Sequence, residues 1–118
     1  MLILYCHPNC STCKKAKKWL EKAGIAYEER DIRLQNPDAD TLLALRQKSG
    51  LPLKRFFNTS GMQYRALALS EKLPVMSEEE QLCLLASDGM LVKRPLLVSD
   101  SMVLVGFREE AWAKALGQ

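Results

Sequence analysis

In the first third of the chain, the spacing of apolar residues changes from a strand pattern to a helical pattern and back again. The apolar run Leu2–Cys6 predicts a short buried strand, and Ile25–Ile32 alternates well enough to predict a second one. Between them, over about 11–23, apolar residues recur at helical spacing, and Gly24 follows as a stop. We therefore predict a β–α–β unit with a parallel strand pair.

Helical patterns follow, and the chain returns to strands near its end. Asn36 and Pro37 are expected to open a second helix as a cap residue and a first-turn proline. Ser77–Glu80 forms a capping box before a leucine-rich helix, in which Cys83 is expected to lie in the core. Residues 94–98 and 102–107 predict two strands, and a final helix follows. The order predicts an α/β fold with a four-stranded mixed sheet and helices inserted between strands 2 and 3.

Composition limits the classes of protein that fit. The 118 residues, 47% apolar and 26% charged, predict one globular domain spanning 1–118. The net charge of +3 suits a small anionic substrate or an acidic partner and does not require nucleic acid. The N-terminus lacks a signal-peptide pattern, and no apolar run reaches membrane-span length, so we expect a cytoplasmic protein. Four cysteines in a reducing compartment favour catalysis, metal binding or redox sensing over structural disulfides.

Three cysteines stand close together in the segment "CHPNCSTC". Cys6, Cys10 and Cys13 have the C-x₃-C-x₂-C spacing of an iron–sulfur loop, but the chain is too short for the large barrel that such radical enzymes use. A zinc site built from these residues and His7 lacks a second ligand pair, although the sequence does not exclude it. No cysteine is followed by arginine at the spacing of a phosphatase loop.

A redox pair fits the segment best. Cys10 is predicted at the N-cap of the first helix, where unpaired amides and the helix dipole favour thiolate over thiol. Lys14 and Lys15 add positive charge nearby. Cys13, one helical turn on, can reach back to form a disulfide, so Cys10 would attack and Cys13 would resolve. The alternative is an inert, buried cysteine pair.

The dipeptide Arg94-Pro95 stands directly before a predicted buried strand, where proline removes a ladder donor. A cis peptide bond would explain this placement and would hold Arg94 at the strand entrance, where it could bind an oxyanion. The alternative is a trans proline that starts an edge strand, with Arg94 in solvent.

Three motifs in order, the CxxC after the first strand, "FFNTSGMQYRAL" and "KRPLLV…VGF", resemble the arsenate reductase family. The resemblance is to its glutaredoxin-like branch, which includes the Spx-type regulators, and is nearest to uncharacterised arsenate-reductase-like members. It covers essentially the whole chain and implies a thioredoxin-like (glutaredoxin-type) fold with a helical insertion between strands 2 and 3.

The resemblance also implies roles for particular residues. Cys10 falls on the catalytic cysteine, and Arg94 falls on an oxyanion-binding arginine followed by a cis-proline. The segment 58–61 falls in a loop that faces the active cysteine. The expected catalytic residues are thus Cys10, Cys13 and Arg94. The expected substrate-binding residues are Ser11, Thr12, Lys14, Asn58, Thr59 and Pro95.

The chain departs from the arsenate reductases at three positions. Those enzymes use three arginines, whereas Asn58 stands at one of these positions and Gly106 or Phe107 near another. Losing two cationic groups should weaken a dianion site by about 1.5–3 kcal/mol per charged hydrogen bond. Those enzymes also lack a cysteine at position 13 and borrow glutathione, whereas Spx-type regulators carry such a pair as a redox switch.

Two functions are therefore expected. The first is a thiol-dependent oxidoreductase that acts on an oxyanion or a disulfide and is recycled by glutathione, glutaredoxin or thioredoxin. It would be a monomer without bound cofactor or metal, and without direct contact to nucleic acid or membrane. The alternative is an Spx-type regulator that binds RNA polymerase without turnover.

Overall fold

The computed structural model describes residues 2–118, which form a sheet flanked by helices. None of the helices in this range is long and apolar enough to cross a membrane. Short 3₁₀ turns cover Leu53–Phe56, Leu73–Val75 and Gly89–Leu91. The strands and α-helices run in the order β1 (Ile3–Cys6), α1 (Ser11–Lys22), β2 (Glu28–Asp31), α2 (Ala39–Ser49), α3 (Met62–Ala66), α4 (Leu69–Lys72), α5 (Glu78–Ser87), β3 (Leu96–Val98), β4 (Val103–Val105) and α6 (Glu109–Ala115).

The sheet has four strands in the order β2-β1-β3-β4. Strand β1 pairs in parallel with β2 and antiparallel with β3, and β3 pairs antiparallel with β4. The helices α2 to α5 lie in the chain between β2 and β3. This arrangement confirms the predicted mixed sheet with a helical insertion between its second and third strands.

The sheet separates two apolar cores because successive strand residues point to opposite faces. Leu4 and Leu97 belong to one core, which also contains Trp112 of α6 and the buried residues of α1. Tyr5 and Leu96 belong to the other core, which the inserted helices cover. The two sulfurs of Cys6 and Cys13 lie in the first core, so the CxxC segment is supported by α1, β1 and α6 rather than by the insertion.

The predicted start of the second helix was wrong. Helix α2 begins at Ala39, and its N-cap is Asp38, whose carboxylate accepts a hydrogen bond from the Thr41 amide at 2.8 Å. The Asn36 side chain instead donates hydrogen bonds to the carbonyls of Leu85 and Ala86 at the end of α5. Asn36 thus joins two helices rather than capping one.

Helix α5 starts at the predicted capping box but does not bury its cysteine. The Ser77 hydroxyl accepts from the Glu80 amide at 3.1 Å, and the Glu80 carboxylate accepts from the Ser77 amide at 2.9 Å. Cys83 is exposed, contrary to the expected core position. Leu82 and Leu85 are buried instead, because they lie on the helix face that packs toward the sheet.

Gly89 lies where the chain leaves α5 and passes against the end of β2. A Cβ atom at this position would lie 2.1 Å from the backbone carbonyl oxygen of Ile32, far inside contact distance. Because that neighbour is backbone, relief requires a shift of the chain. We expect Gly89→Ala to lower the free energy of unfolding by about 1–3 kcal/mol, the usual cost of overpacking. Urea denaturation measures this effect, with exposed Gln63→Ala as the control. Equal stability of the two variants would contradict it.

Candidate active site

Cys10 occupies the N-cap of α1, as predicted. Its backbone is extended (φ −88°, ψ 118°), and its sulfur accepts a hydrogen bond from the Cys13 backbone amide at 3.4 Å. The turn that leads to it closes when the Cys10 amide donates to the His7 carbonyl at 3.1 Å. Cys10 is half-buried, so its sulfur receives a helix-terminal amide while the residue keeps access to solvent.

Cys13 lies one turn into the helix and is 0% exposed. The pKa of Cys13 is lowered to about 6, chiefly by interaction with the Cys6 side chain, although burial acts in the opposite direction. The His7 backbone, the Cys10 side chain and the positive charge of Arg94 contribute to the same lowering. Cys13 is therefore a thiol that favours its anionic form but cannot meet a substrate from solvent directly.

Cys6 is the third cysteine of the site, and it was not predicted to act together with Cys10 and Cys13 in thiol chemistry. It ends β1, is 0% exposed and lies in the same apolar cluster as Cys13. Interaction with the Cys13 side chain and burial together raise the pKa of Cys6 strongly, so the protonated thiol is favoured there. The available signal was topological: Cys6 ends the strand that leads into the helix carrying Cys13.

Arg94 is anchored by the turn that precedes β3. One terminal nitrogen of its guanidinium donates to the carbonyls of Gly89, Met90 and Val92, each at 3.4 Å. Its Nε is buried and has no hydrogen-bond partner within residues 2–118. The peptide bond to Pro95 is cis, which confirms that prediction. The positive charge of Arg94 is one of the influences that lower the pKa of Cys13.

Further charge surrounds His7, which directly follows β1. Burial lowers the pKa of His7, and the positive charges of Arg94 and Arg33 lower it further, while Asp31 opposes them. Arg33 is held by a two-point ion pair to Asp31 at 2.7 and 3.1 Å. Arg33 was not among the predicted site residues. Its signal is that β1 and β2 are parallel and pair Cys6 with Asp31, so both strands end at the same sheet edge.

The remaining predicted residues lie at varied positions. Ser11 and Thr12 form the first turn of α1, and Lys14 is exposed on its surface. The backbone N–H of the half-buried Asn58 donates to the Leu91 carbonyl at 2.7 Å, so this loop lies beside the chain that leads to Arg94. Thr59 is exposed, and within residues 2–118 no hydrogen bond joins Asn58 or Thr59 to Cys10. Their contact with a substrate stays a prediction.

The site combines one accessible thiol, one buried thiol that favours its anion, and a cationic surround. Such a set can break and form sulfur–sulfur bonds, and it favours anions. In the part of the chain that the structure describes, no group of three or more His, Cys, Asp or Glu side chains is arranged to hold a metal ion.

The fold is a thioredoxin-like α/β fold, and the candidate site is a pair of cysteines at the start of its first helix. The chain belongs to the ArsC family, which it matches over residues 5–115. This membership confirms the resemblance drawn from the three sequence motifs.

Relatives of three kinds match most of the chain. Uncharacterized protein YusI of Bacillus subtilis is 58% identical over 95% of this chain and 98% of its own length. The crystal structure of a possible arsenate reductase from Streptococcus mutans is 46% identical, covers 95% of this chain and 97% of that chain, and superposes with a TM-score of 0.88. Global transcriptional regulator Spx 2 of Lactococcus lactis is 28% identical over 93% of this chain and 82% of its own length.

Proposed function

We propose that this protein is a thiol-dependent oxidoreductase in which Cys10 is the nucleophile and Cys13 the resolving thiol. The observation that carries the proposal is the difference in access between two adjacent sulfurs. Cys10 is half-buried at the helix N-cap, whereas Cys13 is 0% exposed and its amide lies 3.4 Å from the Cys10 sulfur. A substrate therefore meets Cys10 first, and Cys13 acts only on what Cys10 has bound.

The reaction on a disulfide then has two steps. The Cys10 thiolate attacks one substrate sulfur, the substrate S–S bond breaks, and the first thiolate product leaves. Cys13 next attacks the Cys10 sulfur, which releases the second thiolate and leaves a Cys10–Cys13 disulfide. Two electrons have passed from the cysteine pair to the substrate. Glutathione, glutaredoxin or thioredoxin returns them by reducing that disulfide.

An oxyanion substrate would follow the same order of attack. Cys10 would replace one oxygen of the oxyanion, which leaves as water after protonation. Attack by Cys13 on the Cys10 sulfur would break the bond to the central atom and leave two electrons on that atom. Arg94, with its buried Nε lacking a partner in residues 2–118, and the amides of Ser11 and Thr12 are the groups that would hold the negative charge.

A coupled NADPH-consumption assay tests the proposal. It presents arsenate and a mixed glutathione disulfide in turn, with glutaredoxin or thioredoxin as the recycling protein and Cys10→Ser as the control. Turnover that depends on Cys10 would establish an enzyme, and the preferred substrate would show whether Arg94 alone supports arsenate. No turnover with either substrate and either recycling protein would contradict the proposal.

The second candidate is an Spx-type redox switch, which the match to Spx 2 favours. In that case the same disulfide would change the affinity for RNA polymerase, and the exposed lysines of α1, among them Lys14, Lys15 and Lys18, would offer a basic docking face. Retention of polymerase from lysate by oxidised wild-type protein, and not by Cys10→Ala, together with absent turnover, would favour the regulator.

Replacing Arg94 separates anion binding from thiol chemistry. For an oxyanion substrate, we expect Arg94→Ala to lower kcat/KM by about 10–100-fold, because a charged hydrogen bond contributes about 1.5–3 kcal/mol. For a neutral aromatic disulfide the loss should be much smaller. Arg94→Lys is the matched control, since it keeps the charge but loses the planar fork. An equal loss of kcat/KM on both substrates would indicate that Arg94 only stabilises the turn formed by Gly89, Met90 and Val92.

A further inference from the structure

We propose that His7 is a positioning residue for Cys10: its neutral imidazole holds the turn that presents the Cys10 sulfur, and protonation of the ring releases that turn. This role rests on the proposed function, in which Cys10 is the nucleophile. Residues 7–10 form a tight turn between β1 and α1, in which the Cys10 amide donates to the His7 carbonyl at 3.1 Å. The His7 side chain closes the same turn a second time, because its Nδ1 accepts a hydrogen bond from the Asn9 amide at 3.0 Å.

The direction of this second hydrogen bond is fixed by the chemistry of its two groups. A backbone N–H can only donate, so Nδ1 of His7 must offer a free lone pair, and the ring proton must lie on Nε2. An imidazolium carries a proton on both ring nitrogens and cannot accept. Protonation of His7 therefore breaks the hydrogen bond to Asn9, and the turn is complete only while the ring is uncharged.

The charged groups around His7 favour its neutral form. Partial burial lowers the pKa of His7, and the positive charges of Arg94, from the turn before β3, and of Arg33, beyond the end of β2, lower it further. Asp31 acts in the opposite direction, but its carboxylate is paired with Arg33 at 2.7 Å. The pKa of His7 thus lies below its ordinary value, so the turn is closed around neutral pH and opens only in acid.

Protonation of His7 has two opposing effects on Cys10. The imidazolium would favour the Cys10 and Cys13 thiolates by its charge, although water screens a charge on this half-buried ring. Loss of the Asn9 hydrogen bond would loosen the turn that ends at Cys10. That turn places the Cys10 sulfur 3.4 Å from the Cys13 amide, the contact that stabilises the attacking thiolate. Loosening the turn therefore lowers the reactivity of Cys10, and we expect this loss to outweigh the effect of the charge.

The test follows alkylation of Cys10 by iodoacetamide, a neutral reagent whose reaction requires no turnover. Reduced full-length Cys83→Ser protein is used, because the two remaining cysteines are buried, and mass spectrometry gives the rate at each pH. We expect His7→Ala to lower the rate at slightly alkaline pH about 3–10-fold, the range for one lost hydrogen bond. His7→Asn is the matched control, because its side-chain oxygen can accept from the Asn9 amide, and it should keep most of the wild-type rate. Equal losses in the two variants would overturn the inference.

The pH profile separates positioning from charge. As the pH falls, the alkylation rate should drop more steeply with His7 present than in His7→Asn, because attack then needs a neutral ring as well as a thiolate. A shallower drop with His7 would show that the imidazolium acts only by stabilising the thiolate, and equal profiles would show that its titration has no effect. Either result would overturn the inference.

The tautomer of His7 provides a measurement that is independent of thiol reactivity. In nitrogen-15 NMR spectra of the reduced full-length protein, the neutral ring should carry its proton on Nε2, and Nδ1 should have the chemical shift of an acceptor. A proton on Nδ1 would overturn the inference. Neither experiment depends on catalysis, so a protein without turnover would contradict the proposed function and leave both results interpretable.

Discussion

Cys10→Ser is expected to lower turnover by at least about a thousandfold on every disulfide and oxyanion substrate, because the substitution removes the nucleophile. A serine hydroxyl at the N-cap does not ionise near neutral pH, so the attacking anion is lost. Cys13 cannot take over the attack because it is 0% exposed, whereas Cys10 is only half-buried. The measurement is the rate of NADPH consumption in the coupled assay. Retention of most of the wild-type rate would refute Cys10 as the nucleophile.

Cys13→Ser is the matched control for that experiment. This variant keeps the nucleophile and loses the resolving thiol, so Cys10 should still react once and then hold the adduct. Mass spectrometry should show one substrate group per chain on Cys10, whereas wild type should show an internal disulfide and no adduct. If Cys13→Ser turned over as fast as wild type with glutathione present, an external thiol would be resolving the adduct on Cys10. That result would contradict the proposed role of Cys13 as the resolving thiol.

Trp112→Ala is expected to lower the free energy of unfolding by about 3–5 kcal/mol, the range for truncating a large aromatic in a core. Trp112 is 1% exposed and packs edge-to-face against Phe107 at 4.9 Å and Trp19 at 6.2 Å between ring centroids. Its indole N–H donates to the Gly106 carbonyl at 3.0 Å. The substitution removes the aromatic contacts and this donor together and leaves a cavity behind α1.

Urea denaturation followed by circular dichroism measures this loss. Met62→Ala is the control, because Met62 is 86% exposed and its truncation should change stability by no more than about 0.5 kcal/mol. If Trp112→Ala lowered the free energy of unfolding as little as Met62→Ala, the aromatic cluster would not be a main source of stability in the core under α1. It would also remove the reason to regard that core as the support of the thiol pair.

Features that depend on neighbours in the chain were predictable from sequence. The N-cap position of Cys10 follows from a strand, a Pro-Asn turn and a helical pattern, and the capping box of α5 follows from Ser77 and Glu80 alone. The start of α2 was set wrongly because Asn36 and Asp38 are both good cap residues. Only the contact of Asn36 with the carbonyls of Leu85 and Ala86, about fifty residues away, decides between them.

In the candidate site, too, features set by the local sequence were predictable, and features set by tertiary packing were not. The Cys10–Cys13 spacing is local, and it indicated the thiol pair directly. The proximity of Cys6 and Cys13 depends on how β1 packs against α1. The three carbonyls that bind Arg94 belong to an irregular turn, which a pattern of apolar and polar residues does not predict. The difference in burial between Cys13 and Cys10 is likewise a property of the folded core. Both residues are cysteines in nearly the same stretch of sequence, so the local sequence does not distinguish them.

The anchoring of Arg94 has an evolutionary consequence. The thiols belong to the β–α unit at the start of the chain, whereas the guanidinium is fixed by the turn that closes the helical insertion. The two halves of the site thus reside in separate modules. Under the proposed function, substitutions in the insertion would move the Arg94 guanidinium and change which anions are accepted, while the cysteine pair stays the same. A family built on this plan can diversify in specificity without reinventing its chemistry.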